Sequence, residues 1–526
     1  MVLGNHEVLV MTGDLRYVSD EEFADFAALE SPGEREAAFA AWRLSNPDGD
    51  DQAARQGFDT DYPPGYFALR RTYAGDGEFG RWLRQQPFVI KVNDKVYMHG
   101  GIAYDLIGES LDEINARMGG ELQAYLDNQA TLRAAGALPW HADYDDQLVL
   151  LNVAAEQFVA ANPDVRAEWF DAMIGLFDAQ QASLFSPNAP NWYRGSAYCH
   201  PYAESFNTES FLKRAGASQL VIGHTPSRGQ VIDRMEGQVI RLDTGMLKSV
   251  YGGRAAALVS GDGNDYVHYL ASDEKAQPVV EGRSLAMGSA GMSDAELEDF
   301  MRSAQVVVDD APDNSAATAI RVQQSLGQTS NAAVFMTKDD APGLESASSY
   351  RRSANRAERY VYDVAAYKLD RLLDLQLVPT AVLATVQDDA GALVDIPGEV
   401  MTEQERLDGQ VPFSGFCAQG DQYRLRDVFD VLVYNEGRVP ANTLWSQDRF
   451  MLRLTGHSQS FRTDTKRPRA YRKTELEISD LLYAKLQGLA RSALDEELGA
   501  YLHPRQIEAV LKRRDRILEE AKRSGG

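Results

Sequence analysis

The sequence predicts an α/β (α+β) protein of two domains, the first a sheet overlaid by helical insertions. Three observations carry that expectation. Short apolar runs, too brief for helices, recur and often end on a histidine or an aspartate. Between them lie long stretches whose apolar residues return every three or four positions. At 526 residues with 44% hydrophobic content the chain can bury two cores, since single cores stop growing near about 250 to 300 residues.

Taken in order, Met1-Val2-Leu3 reads as the last part of a buried strand ahead of a turn at Gly4-Asn5. Residues 13–86 and 103–190 read as largely helical, with Leu111, Ile114, Met118, Leu122 and Tyr125 marking one apolar face. Sheet strands are expected at 88–92, 96–98, 220–222, 239–242 and 255–259, the last followed by a Gly-Asp-Gly-Asn turn. Apolar periodicity then fades and residues 263–292 read as a linker, dividing a domain at 1–262 from one at 293–526. The second domain opens on a capping box, Ser293 to Glu296, and ends in a charged helix at 504–523.

The charge balance narrows the partners. Subtracting 78 acidic from 53 basic residues leaves −25, which repels nucleic acid and anionic membrane surfaces. Cys199 and Cys417 are too few and too distant in sequence for a disulfide framework or a zinc cage, and are expected as buried thiols. No apolar run reaches the roughly 20 residues of a membrane span, and no signal-peptide pattern is present. No membrane segment and a cytoplasmic location are therefore expected.

Chemistry concentrates in three short motifs: Gly4-Asn5-His6-Glu7, His99-Gly100-Gly101 and Gly223-His224-Thr225. Each follows an apolar strand-like run, and strand ends facing a crevice are where open α/β sheets place their sites. One histidine beside a glycine means little; the ordered trio means more. With Trp192-Tyr193-Arg194-Gly195 and Asp243-Thr244-Gly245-Met246, the motifs make residues 1–262 resemble the calcineurin-like metallophosphoesterases, within them the Shewanella-like protein phosphatases of bacteria and plants.

The resemblance implies that Asn5, His99 and His224 ligate one ion of a two-metal site, manganese by preference, with iron or zinc as alternatives. It implies His6 as the proton donor to the leaving oxygen and Arg194 as a phosphate clamp. The implied reaction is hydrolysis of a phosphate monoester, on a phosphoprotein or another phosphomonoester, by metal-activated water. Plainer readings of the same residues are a His99 that caps a strand, an Arg194 that is surface charge, and an Asp243 that only closes an Asx turn.

The family also carries Asp-x-His-Gly and Gly-Asp-x-x-Asp-Arg-Gly motifs upstream of Asn-His-Glu, and neither occurs here. Those motifs supply the carboxylate ligands, so only one ion is well supported. The chain is expected to lack its amino-terminal strand-helix units and to have impaired activity as written.

In the second domain, Val334-Phe335, the helical stretch 361–373, Tyr434-Asn435-Glu436-Gly437-Arg438 and Thr455-Gly456-His457 resemble an atypical bacterial kinase fold. The positions for the phosphate-binding lysine, its helical glutamate and the two aspartates hold Met336, Asp363, Gly437 and Gly456, and only Asn442 keeps its type. The expectation is a pseudokinase, with no cofactor-binding residues assigned. The alternative for the whole chain is a non-catalytic scaffold or regulatory binding protein.

Overall fold

A computed structural model describes residues 1–227, 229–261, 264–270, 276–281, 292–308, 319–340, 357–396, 398–409, 417–447 and 450–524. The fold is mixed α and β. The chain forms two compact units: Met1–Tyr193, Arg214–Val231 and Ile240–Pro278 make the first, and Arg194–Lys213, Ile232–Val239 and Val279–Gly526 the second.

In the first unit, helices α1 (Asn5–Thr12), α2 (Asp20–Phe26), α3 (Pro32–Ser45), α4 (Asp51–Asp61), α5 (Tyr66–Tyr73) and α6 (Glu78–Leu83) precede strands β1 (Val89–Val92) and β2 (Lys95–Met98). Helices α7 (Leu111–Ala134), α8 (Gln147–Ala161) and α9 (Phe170–Gln180) follow, then β3 (Gln219–Ile222) and β4 (Val239–Arg241). The stripe read from the sequence of α7 is buried, with Ile114, Met118, Leu122 and Tyr125 at no more than 1% exposure. Ser110 and Glu113 cap that helix reciprocally. Helices α2 to α5 close over an aromatic cluster that includes Phe23, Phe58, Tyr66 and Phe67, where offset and edge-on rings add to burial.

The sheet sets the site. Strand β1 pairs antiparallel with β2, and β2 runs parallel to β3 with Met98 opposite Ile222. The residues that follow, His99 and Gly223, are therefore neighbours, joined by the Gly223 amide donating to the His99 carbonyl at 2.8 Å. Strand β4 is next in order, and the Leu242 amide reaches the Ile222 carbonyl at 2.7 Å.

Two strand expectations are corrected. Residues 256–261 leave this sheet: β5 (Ala256–Gly261) pairs with β6 (Asn264–Tyr269) in a separate three-stranded sheet. Met1-Val2-Leu3 is not a ladder strand; Leu3 is fully buried and donates a single backbone bond to the Pro87 carbonyl at 2.8 Å. Asn5 then begins a helix rather than completing a free turn.

The second unit centres on a five-stranded sheet in the order β7 (Gln305–Val308), β8 (Ala319–Leu326), β9 (Thr329–Met336), β11 (Asp389–Asp395), β10 (Ala381–Val386), each pair antiparallel. Helix α10 (Asp294–Ser303), capped by Ser293 and Glu296 as expected, sets Leu297, Phe300 and Met301 into its core. Helices at Val361–Leu372, Gln419–Val433 and Pro504–Glu520 are among the others of this unit. The segment 194–213 belongs here: Asn207 donates to Asp421 at 2.7 Å and Ser205 to Ser479 at 2.7 Å.

The cysteines are not free thiols. Cys199 and Cys417 form a disulfide across 218 residues, beside Met451 in a buried cluster. Sequence distance misled because folding brings the segment containing Cys199 against the second unit's own core. Such bonds persist in oxidising compartments and are rare in the cytosol, which runs against the cytoplasmic expectation. Among the described residues no helix is long and apolar enough to cross a membrane.

Candidate functional site

Three side chains from three separate elements meet at the edge where β2 and β3 end. Asn5 Oδ1 lies 2.8 Å from His99 Nε2 and 3.1 Å from His224 Nδ1, and the two ring nitrogens are 3.2 Å apart. Donor atoms bonded at about 2.1 Å to one divalent ion lie about 3.0 Å apart around an octahedron and about 3.4 Å apart around a tetrahedron. The triangle matches one octahedral face. Its donors are a carbonyl oxygen and two imidazoles, all neutral, a set suited to borderline ions and weak for hard ones. Among the described residues there is no group of three or more His, Cys, Asp or Glu placed to hold an ion, so any ion here depends on the asparagine.

Each arm of the triangle is anchored. Asn5 sits in the first turn of α1, where the Glu7 carboxylate accepts from the Gly4 amide at 2.9 Å. At the far end of α1, buried Arg70 donates to the Gly13 carbonyl, and the Gln129 and Gln147 amides both donate to the Thr12 carbonyl at 2.9 Å. These bonds satisfy carbonyls that a helix end leaves open. Gly4 is required by close approach: a Cβ there would lie 2.7 Å from His99 Nδ1 and 2.8 Å from the Glu7 carboxylate.

His99 leaves β2 into Gly100, whose amide donates to the Pro190 carbonyl at 2.7 Å; a Cβ at Gly100 would strike that oxygen and the Tyr193 amide at 2.9 Å. The same loop brings the Trp192 ring edge-on to His224, with centroids 5.8 Å apart. His224 has φ of +61°, and the Thr225 amide reaches back to the Gly223 carbonyl at 2.6 Å. This is a γ-turn with positive φ, a strained conformation, and strain of that kind in a non-glycine residue gathers at functional sites.

The other candidates make contacts of their own. The His6 ring lies flat on Tyr17, with centroids 4.6 Å apart and planes 4° apart, and lines a cavity of about 870 Å³. Arg194, in the second unit, flanks the N-terminus of the short helix Gly195–Tyr198 and is half-buried. Asp243 Oδ1 accepts from the Gly245 amide at 2.8 Å, the Asx turn of the plainer reading. Sequence reasoning missed Asn191, which is fully buried in the loop carrying Trp192, with neither amide atom hydrogen-bonded. No spacing rule marks such a residue.

At the kinase-like positions of the second unit, Gly456 has φ of +69°, and a Cβ there would lie 2.4 Å from Asn442 Nδ2. An aspartate at this position would force the Asn442 side chain to move. Asn442 is occupied internally: Oδ1 accepts from Arg438 and Val439, and Nδ2 donates to the Gly437 carbonyl. Arg438 also grips the fully buried Asp430 through two bonds of 2.8 and 2.9 Å, and Tyr471 donates to Asp430 at 2.7 Å. Burial pushes the Asp430 carboxyl up, but Arg438 and the hydrogen bonds hold it below its ordinary value. Asp363, also buried, accepts from the His457 amide at 2.7 Å; burial raises its pKa to about 7.

No family model matches the chain. An uncharacterized protein of Schizosaccharomyces pombe is 31% identical over 78 residues, 15% of this chain and 24% of that one. Among solved structures, a cold-active protein-tyrosine phosphatase of a psychrophile Shewanella species is 21% identical with a TM-score of 0.28, over 51% of this chain and 55% of that chain. A hydra Fam20 protein solved with sugar is 13% identical with a TM-score of 0.32, over 45% and 91%. The Golgi casein kinase is 11% identical with a TM-score of 0.30, over 45% and 76%. The chain thus spans about a quarter of the curated relative and about half of the phosphatase.

Proposed function

We propose that the first unit is a metal-dependent phosphatase acting on phosphate monoesters, phosphoproteins among them, with Asn5, His99 and His224 holding one divalent ion. The observation carrying this reading is the triangle of donor atoms with edges of 2.8, 3.1 and 3.2 Å. An ion bound there supplies Lewis acidity toward a phosphoryl oxygen. The chain's own residues hold it in a fixed frame: α1, anchored at both ends, presents Asn5, and the register of β2 and β3 presents the imidazoles. His6, next to Asn5 on α1, is the proposed proton donor to the leaving oxygen, its ring oriented by the Tyr17 stack. With three neutral donors, manganese binding is expected to be weak and zinc tighter.

The test is hydrolysis of an aryl phosphate across a manganese and zinc titration, with metal binding measured separately by calorimetry. His224→Ala is expected to abolish both metal binding and hydrolysis while leaving the far-ultraviolet circular dichroism unchanged. Hydrolysis that survives in His224→Ala refutes the assignment.

A second reading, for the second unit alone, is a pseudokinase module that binds rather than transfers. It is favoured by the glycines at the two aspartate positions, Gly437 and Gly456, and by the internally engaged Asn442.

A further inference from the structure

The cavity of about 870 Å³ beside His6 lies within the size range of ligand sites. It shares helix α1 with the proposed metal triangle, for His6 and Glu7 line it and follow Asn5 on the same helical turn, while Asn5, His99 and His224 are not among its lining residues. One wall is aromatic: Phe26, Tyr73 and Phe79 form a ring cluster with centroids 5.3 to 6.5 Å apart. Trp82 and Tyr17 add rings that remain 53% and 60% exposed. Large rings left in water around a concave surface mark a place where something docks.

The charge on this cavity has one sign. Glu7, Asp14, Glu22, Asp25 and Glu78 line it, and no lysine or arginine is among the described residues that do. Asp14 is neutralised by Arg16, and Glu7 and Glu22 accept backbone bonds that leave their charge in place. Tyr73 registers the field, its hydroxyl made a weaker acid by burial and by the charges of Glu22 and Glu7. Aromatic faces combined with uncompensated carboxylates suit a cation carried on an apolar stem, as arginine and lysine side chains are.

We propose that this cavity binds a basic peptide segment, the arginine- or lysine-bearing stretch that flanks the phosphorylated residue of a protein substrate. The flanking role rests on the phosphatase reading; the peptide binding does not. Acidic walls on the helix that carries Asn5 repel phosphate and suit the cationic remainder of such a substrate.

Two measurements on the full chain separate the parts. In the first, fluorescence anisotropy follows a dye-labelled, unphosphorylated hexapeptide carrying two arginines and a leucine, against the same peptide with glutamates for the arginines. The arginine peptide is expected to bind, and Asp25→Lys with Glu78→Lys, or Trp82→Ala alone, to weaken it about tenfold. These side chains are exposed, so the fold should tolerate the changes. Equal binding of the two peptides, or binding indifferent to the variants, overturns the proposal. Spermidine competing as well as the free peptide also overturns it, in favour of a small cation.

In the second, the same variants are expected to raise KM for the phosphorylated arginine peptide about tenfold with kcat unchanged, and to leave aryl phosphate hydrolysis as it was. Peptide binding without aryl phosphate hydrolysis refutes the phosphatase reading and leaves the peptide site standing. Aryl phosphate hydrolysis with an unmoved KM for the peptide refutes the flanking role alone.

Discussion

Breaking the bond between Cys199 and Cys417 offers the sharpest test of how the second unit is held together. The bridge closes a loop of 218 residues, and the chain-entropy relation assigns a loop of that length about 5 kcal/mol of stabilisation at 25 °C. For a unit of this size such a loss corresponds to a fall in melting temperature of roughly 10 to 20 °C. The perturbation is the double variant Cys199→Ala with Cys417→Ala, which removes the bridge and leaves no buried unpaired thiol, and in parallel reduction of the native chain. Melting is followed by calorimetry so that the two units are resolved, and thiols are counted with a chromogenic disulfide in denaturant before and after reduction. The count is expected to rise from none to two, and the transition of the second unit to shift while that of the first stays. Two reactive thiols before reduction, or a shift under about 2 °C, would refute the reasoning.

Two further outcomes test the second unit. Arg438→Met removes the partner of the buried Asp430 and is expected to cost about 3 to 5 kcal/mol, read from denaturant unfolding; a cost below about 1 kcal/mol would mean that the pair is not buried as described. Asp363 has its folded-state pKa raised to about 7 by burial. The folded chain therefore keeps its proton while the unfolded chain releases it, and the contribution of this group to stability is full below about pH 4 and is lost as pH rises to about 7. Asp363→Asn is expected to flatten that part of the stability profile and to raise stability at pH 8. An unchanged profile sinks the assignment.

Local pattern carried much of the fold into view. The stripe of Ile114, Met118, Leu122 and Tyr125 is buried along one helix, and Ser293 with Glu296 closes a capping box where the spacing indicates one. Both depend on neighbours three or four residues apart, which the sequence displays directly. The candidate trio was also legible, since a polar residue beside glycine after an apolar run marks a strand or chain end. What spacing could not show is partner choice. Residues 256–261 are as apolar and strand-like as those of β3, yet they pair with Asn264–Tyr269 in another sheet. Asn191 became visible only once its loop was seen against Gly100 and His224.

By itself, then, the sequence determined the mixed α and β character and the helical insertions, and it singled out Asn5, His99 and His224, which a family resemblance proposes as sharers of an ion. The tertiary structure alone decided that their donor atoms stand about 3 Å apart, because that spacing depends on the parallel register of β2 with β3 and on an α1 anchored by Arg70, Gln129 and Gln147. It also decided that Cys199 and Cys417 are bonded, because pairing depends on proximity after folding and 218 residues of chain place no limit on that. Periodicity and capping act within a turn of chain and survive in sequence order; register, disulfide pairing and the electrostatic sign of a cavity arise between distant segments and exist only when those segments meet.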